Sequence, residues 1–240
     1  MAERNYNEER QFTDEKHRGI SIPTIYEELG WSVVQRDDEL TQIRDSEMSI
    51  DYEVVDGAGQ HIMLQERFRR LSKYAKMDFT LRYERNENPE EAEQKSEFYK
   101  MKAKCRRFSE PFYLLYTILN EDETGYSRYV VVDLKAFFER YRNESIIIDE
   151  EADVSFYEAG KLHAPVKFNR DRNRSTGEEF SSSSMVCFDV QFLQEHMPEV
   201  IIQNKGFDRR CDECGDDMRI MTNRNTGKKF WGCPNYRNHP

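Results

Sequence analysis

Residues 49–68 read SIDYEVVDGAGQHIMLQERF, and their pattern sets the architecture around them. Ser49 to Val55 alternates polar and apolar side chains, Asp56-Gly57-Ala58-Gly59 has turn chemistry, and His61 to Phe68 resumes a strand pattern. A β-hairpin is predicted. Because strand side chains alternate between faces, Asp51 shares a face with Glu53 and Val55, and Gln65 shares one with Arg67. Glu66 points the other way, with Ile62 and Leu64.

Outward from the hairpin, Pro23 to Leu29 predicts a short helix that Gly30 stops. Downstream, Asp78 to Tyr83 (DFTLRY) reads as a strand and Ser96 to Arg106 as a helix. Phe112 to Leu119 (FYLLYTIL) is a near-continuous apolar run, as in a buried central strand, and Tyr129 to Asp133 repeats it. Leu134, Phe137, Phe138 and Tyr141 recur at helical spacing, which reads as core packing. The order predicts an α/β fold, a mixed sheet flanked by helices. Three segments are expected: a charged, flexible arm over 1–18, an α/β body over 19–203, and a small unit over 204–240. Within 143–203 the cues thin out. Arg170 to Ser184 (RDRNRSTGEEFSSSS) has loop composition, with Arg170, Arg172 and Arg174 as candidate phosphate contacts, and Asp189 to His196 reads as a short helix.

Composition excludes several classes. The 240 residues are 37% hydrophobic and 34% charged, and no apolar run approaches the roughly 18–20 residues of a membrane span. The start, MAERNYNEERQF, holds no signal-peptide stretch, so a cytoplasmic location without membrane association is expected. No phosphate-cradling glycine loop is present, so ATP dependence is not indicated. Five cysteines, three of them among the last thirty residues, do not suggest a disulfide framework. Cys105 and Cys187 read as small buried hydrophobes, and His17, His61, His163 and His196 lack the spacing of metal ligands. The net charge of −10 is uneven: residues 204–240 carry eight Lys/Arg against five Asp/Glu, leaving −13 on the remainder. An acidic body with a basic end fits a protein whose nucleic-acid affinity sits in an appendage, and it leaves the body open to a protein partner or a second copy of the chain.

That appendage has its own chemistry. Cys211-x2-Cys214 and Cys233-x5-His239, separated by 18 residues, suit two knuckles converging on one tetrahedral ion. Three thiolates and one imidazole favour Zn²⁺ and close its shell, so the ion should hold the fold and perform no chemistry. A redox Cys-x-x-Cys pair would leave the second half-site unexplained. The intervening MRIMTNRNTGKKFWGCPNYR predicts a hairpin turning at Asn225-Thr226-Gly227. Lys228, Lys229, Phe230, Trp231, Tyr236 and Arg237 are then expected to crowd one surface. Rings that stack on bases and cations that follow phosphates are what single-stranded nucleic acid requires.

Cys-x2-Cys-Gly followed by Phe-Trp-Gly-Cys-x-Asn-Tyr resembles the C-terminal zinc ribbons of bacterial type IA topoisomerases, which bind single-stranded DNA. The match covers residues 211–239, with His239 where that family usually has a cysteine. It implies a DNA partner, single-stranded and branched forms included, and no particular reaction.

On the hairpin, an Asp at the start of one strand and a polar-x-cation triplet in the next can converge at a sheet edge. Asp51 and the carbonyl oxygen of Gln65 would offer oxygen ligands to Mg²⁺ or Mn²⁺. Arg67 would face phosphate charge, and Glu28 or Glu27 could add a carboxylate. The bland alternative is a solvated strand face. The stretch Ser49 to Phe68 looks like the core of Mrr-type restriction endonucleases in the PD-(D/E)xK superfamily, in which Gly-Ile-Asp precedes Val-Gln-x-Lys. That resemblance implies a restriction-endonuclease-like core and a metal-dependent DNA endonuclease, with Asp51, Gln65, Arg67 and Glu28 at its site. Arg67 replaces the usual lysine, for which Lys100 or Lys102 could substitute. The rival readings are a catalytically inactive nuclease fold that binds DNA for a partner enzyme, and an adaptor whose body touches only protein.

Overall fold

The computed structural model describes residues 6–34, 50–71, 77–85, 96–172, 179–211 and 213–239. In chain order its elements are α1 (Tyr6–Lys16), a π-helical continuation (His17–Tyr26), α2 (Glu27–Leu29), β1 (Ser32–Val33), β2 (Tyr52–Val55), β3 (His61–Arg69), β4 (Asp78–Arg85) and α3 (Glu97–Lys104). Then follow β5 (Phe112–Leu119), β6 (Tyr126–Asp133), α4 (Leu134–Arg142), β7 (Ile146–Asp149), β8 (Phe156–Glu158), β9 (Lys161–Arg172), β10 (Glu179–Asp189) and α5 (Val190–His196). A 3₁₀ turn (Pro198–Val200), β11 (Ile201–Lys205), β12 (Arg219–Thr222), β13 (Lys229–Gly232) and a last 3₁₀ turn (Tyr236–Asn238) complete the chain.

Where one body was expected over 19–203, the chain forms two compact units. The first comprises Met1–Ala75, Ala103–Lys135 and Ile202–Gly206; the second comprises Lys76–Lys102, Ala136–Ile201 and Phe207–Pro240. The first unit is built on a six-stranded sheet of order β1-β2-β3-β5-β6-β11. The hairpin pairs antiparallel, with Tyr52 opposite Leu64 and Val54 opposite Ile62. β5 then runs parallel to β3, Gln65 against Leu114, and β6 returns antiparallel. Ile25 and Tyr26 bury themselves on one sheet face with Val54, Ile62, Leu64, Leu115, Tyr129 and Val131. Gly30 adopts a left-handed conformation, φ 66°, and stops the helix as its sequence position predicts. The expected flexible arm is different: from Tyr6 onward it is helical, and Tyr52 Oη donates to Asp14 at 2.9 Å, which ties the arm to β2. Ser49, the expected start of the first strand, lies outside the described residues.

In the second unit a sheet of order β4-β10-β9-β7 carries a core of aromatic rings. Phe137 meets Phe188 at 4.7 Å, Phe98 meets Phe138 at 5.3 Å and Phe79 meets Phe188 at 5.1 Å, all fully buried. Burying such rings contributes roughly 1.5–3 kcal/mol apiece. Of the loop expected over 170–184, the described residues, 170–172 and 179–184, are strand. β10 is a central strand pairing with both β9 and β4, and its ladder uses backbone groups that serine supplies as well as valine does. Arg174 lies outside the described residues. Asp189 caps α5 by accepting from the Phe192 amide at 3.0 Å.

Candidate metal centre and nucleic-acid interface

The Cys211 knuckle closes when the Gly215 amide donates to the Cys211 carbonyl at 2.8 Å, with Gly215 left-handed at φ 73°. Amides of Cys214 and Glu213 point at the Cys211 sulfur and hold its thiol below the usual range, favouring the thiolate a metal needs. At the second knuckle the Asn235 amide donates to Cys233 Sγ at 3.3 Å. Between the knuckles β12 and β13 pair with Met221 opposite Phe230, and Asn223 Oδ1 accepts from the amides of Asn225 and Thr226 in the turn. The ligand atoms of Cys211, Cys214, Cys233 and His239 all lie within 4.8 Å of one another. Individual separations are 3.5 Å for Cys211 Sγ to His239 Nε2 and 3.5 Å for Cys214 Sγ to Cys233 Sγ. A tetrahedral Zn²⁺ sets neighbouring sulfurs about 3.7 Å apart, so this donor set fits the ion with little movement.

The six residues expected to share one ribbon surface divide between two. Strand alternation sends Lys229 and Trp231 one way and Phe230 the other. Lys229 Nζ lies 3.5 Å from the Phe156 ring centroid and 3.7 Å from Glu158, while Lys228 Nζ meets Asp153 at 3.0 Å. Trp231 takes the Arg209 guanidinium on its ring at 4.0 Å and Phe192 at 5.3 Å. Arg209 itself donates to Asp189 at 2.6 Å and to Asp78 at 2.8 Å. Burial pushes the Asp189 carboxyl up against the pull of that guanidinium. The outward rings are Phe230, 41% exposed, and Tyr236, 55% exposed, with Arg237 Nε donating to Tyr236 Oη at 3.2 Å. Gly232 leaves room beneath this surface: a Cβ there would sit 2.5 Å from Met221 Sδ and 3.2 Å from Phe230 Cε2, so both side chains would have to shift.

On the hairpin, the register that pairs Tyr52 with Leu64 brings Asp51 beside Gln65. The Asp51 amide donates to the Leu64 carbonyl at 3.0 Å, and Asp51 Oδ2 accepts from the Glu66 amide at 2.7 Å. Gln65 is buried, and Arg67 is half-buried two residues along the same strand face. Glu28 is directed elsewhere. It accepts from Lys205 Nζ at 2.6 Å on β11 and from Tyr126 Oη at 3.2 Å on β6, and the Lys205 bond holds its carboxyl below the usual range. Since β6 lies three strands and β11 four strands from β2, those partners sit roughly 14 Å and 19 Å across the sheet from the Asp51 strand. Lys102 places its ammonium over the rings of Tyr141 and Tyr99.

The sequence reading passed over a buried polar network on the opposite face of β3. Glu66, 2% exposed, accepts from Tyr26 Oη at 2.7 Å and bonds His17 Nδ1 at 2.8 Å. The His17 ring stacks on Tyr52 at 3.4 Å. Burial first, then the Glu66 charge, raises both tyrosine pKa values, so the hydroxyls stay protonated and serve as donors. The signal was present: a carboxylate on a face otherwise formed by Ile62 and Leu64 has to find donors when buried. Compared with family models, with curated proteins and with solved structures, the chain has no match. No helix among the described residues is long and apolar enough to cross a membrane.

Proposed function

We propose that the chain is a metal-dependent DNA endonuclease with a restriction-endonuclease-like core, holding DNA through its zinc ribbon. The observation that carries this reading is the approach of Asp51 to Gln65 across the hairpin, with Arg67 on the same strand face as Gln65. Further support comes from the element order, in which a helix, the hairpin, α3 and β5 come in the sequence that the Mrr-type resemblance implies, while β4, interposed before α3, departs from it. Mg²⁺ is commonly held by one or two carboxylates together with water and substrate phosphate, and Asp51 with Gln65 meets that minimum. A Mg²⁺ or Mn²⁺ ion bound there would supply Lewis-acid charge and a more acidic water. Arg67 is suited to phosphate charge and, being always protonated, cannot act as the base.

A second reading, an inactive nuclease fold that binds DNA and serves a processing partner, is favoured by the engagement of Glu28 with Lys205 and by arginine at position 67. The two separate in one experiment. Single-stranded, double-stranded and modified DNA are incubated with the zinc-loaded chain and Mg²⁺ or Mn²⁺. The endonuclease reading expects cleavage that Asp51→Asn abolishes while oligonucleotide binding persists. Binding without cleavage by the wild type moves the assignment to the second reading.

A further inference from the structure

Lys228 and Lys229 meet a short acidic ridge of their own unit. Asp153 stands in the turn before β8, Glu158 ends β8, and the Phe156 ring lies between them in sequence. The two carboxylates take the two ammonium groups, at 3.0 Å and 3.7 Å, and the ring takes Lys229 on its face. Anionic groups flanking a π surface are also what a phosphate, base and phosphate present to a cationic groove. We propose that the ridge Asp153, Phe156 and Glu158 stands in for single-stranded nucleic acid, occupying both lysines until a bound strand displaces it. The inference rests on the reading that the ribbon binds nucleic acid.

The contacts are graded for exchange. Lys228 remains 64% exposed and Glu158 66% exposed, so both ion pairs are solvated, weak and weakened further by salt. Trp231, on the same strand face as Lys229, is held differently, beneath an arginine that two buried carboxylates fix. A strand can therefore take the lysines while Trp231 keeps its partners.

The test uses the full-length, zinc-loaded chain and a short fluorescein-labelled oligothymidylate, followed by anisotropy across a potassium chloride titration. D153N/E158Q is expected to bind about three- to tenfold more tightly than wild type. Its plot of log affinity against log salt is steeper than that of wild type, because salt also weakens the two ion pairs that compete with the strand in wild type. Adding K228A/K229A removes the gain. E150Q/E151Q deletes the same charge from exposed positions in the neighbouring turn and is expected to change affinity less than about twofold. Equal affinity and slope for wild type and D153N/E158Q, both binding, overturns the proposal and leaves the ribbon reading intact. A gain that E150Q/E151Q reproduces, or that survives K228A/K229A, also overturns it, since bulk charge then explains the effect. No binding by any variant removes the ribbon reading and this inference together.

Discussion

The ribbon and the helix–hairpin network each gather several polar side chains, and they do so by opposite routes. In the ribbon, Cys211 and His239 are 28 residues apart, and two local turns with their own N–H to sulfur contacts aim the ligands. In the network, His17 reaches Glu66 across 49 residues, and nothing local to either residue dictates the meeting. The first site is small enough that an ion must replace a core. The second exists because a core surrounds it and makes an unpaired carboxylate costly. One set of side chains creates its fold, while the other is held by a fold formed largely without it.

The largest expected effect lies on the ribbon side. Chelating the metal, or Cys233→Ser, removes folding free energy on the order of 10 kcal/mol and should abolish amide-exchange protection in β12 and β13. Protection retained at full strength in the chelated chain would break the contrast, since the ribbon would then have a sufficient core. Next comes the network. Glu66→Ala leaves His17 and Tyr26 without their acceptor, at an expected cost of about 3–5 kcal/mol in urea denaturation of the zinc-loaded chain. A loss below about 1 kcal/mol would show that water satisfies both donors. The smallest effect sharpens the picture. Tyr26→Phe deletes one bond to a carboxylate and should cost about 1.5–3 kcal/mol, with the ring packing on the sheet intact.

Legibility followed the same division. The α/β class, the hairpin, the FYLLYTIL strand, α4 and the Gly30 stop were readable because each is written in local periodicity or in one special backbone conformation. The Cys₃His cluster was readable because knuckle spacing nearly determines knuckle geometry. The separation of the body into two units was not, since strand order depends on which distant segments pair. β4, next in sequence after β3, joins β10 in another sheet. The ribbon residues are neighbours in sequence, yet alternation across β13 divides them, by the same period-two rule that orders the hairpin. Glu28 has a conspicuous position after Pro23, but its partner Lys205 stands 177 residues away, and no short-range pattern marks that pairing.

The winding of the segment His17–Tyr26 has a consequence for phase. At 3.6 residues per turn, nine residues amount to two and a half turns, which would leave His17 and Tyr26 facing opposite directions. The i→i+5 winding accommodates roughly 4.4 residues per turn, so nine residues complete about two turns and both side chains return to the same side. The departure from the ordinary helix therefore acts as an angular vernier: it lets one stretch of chain present an imidazole and a phenol to the two oxygens of a single carboxylate.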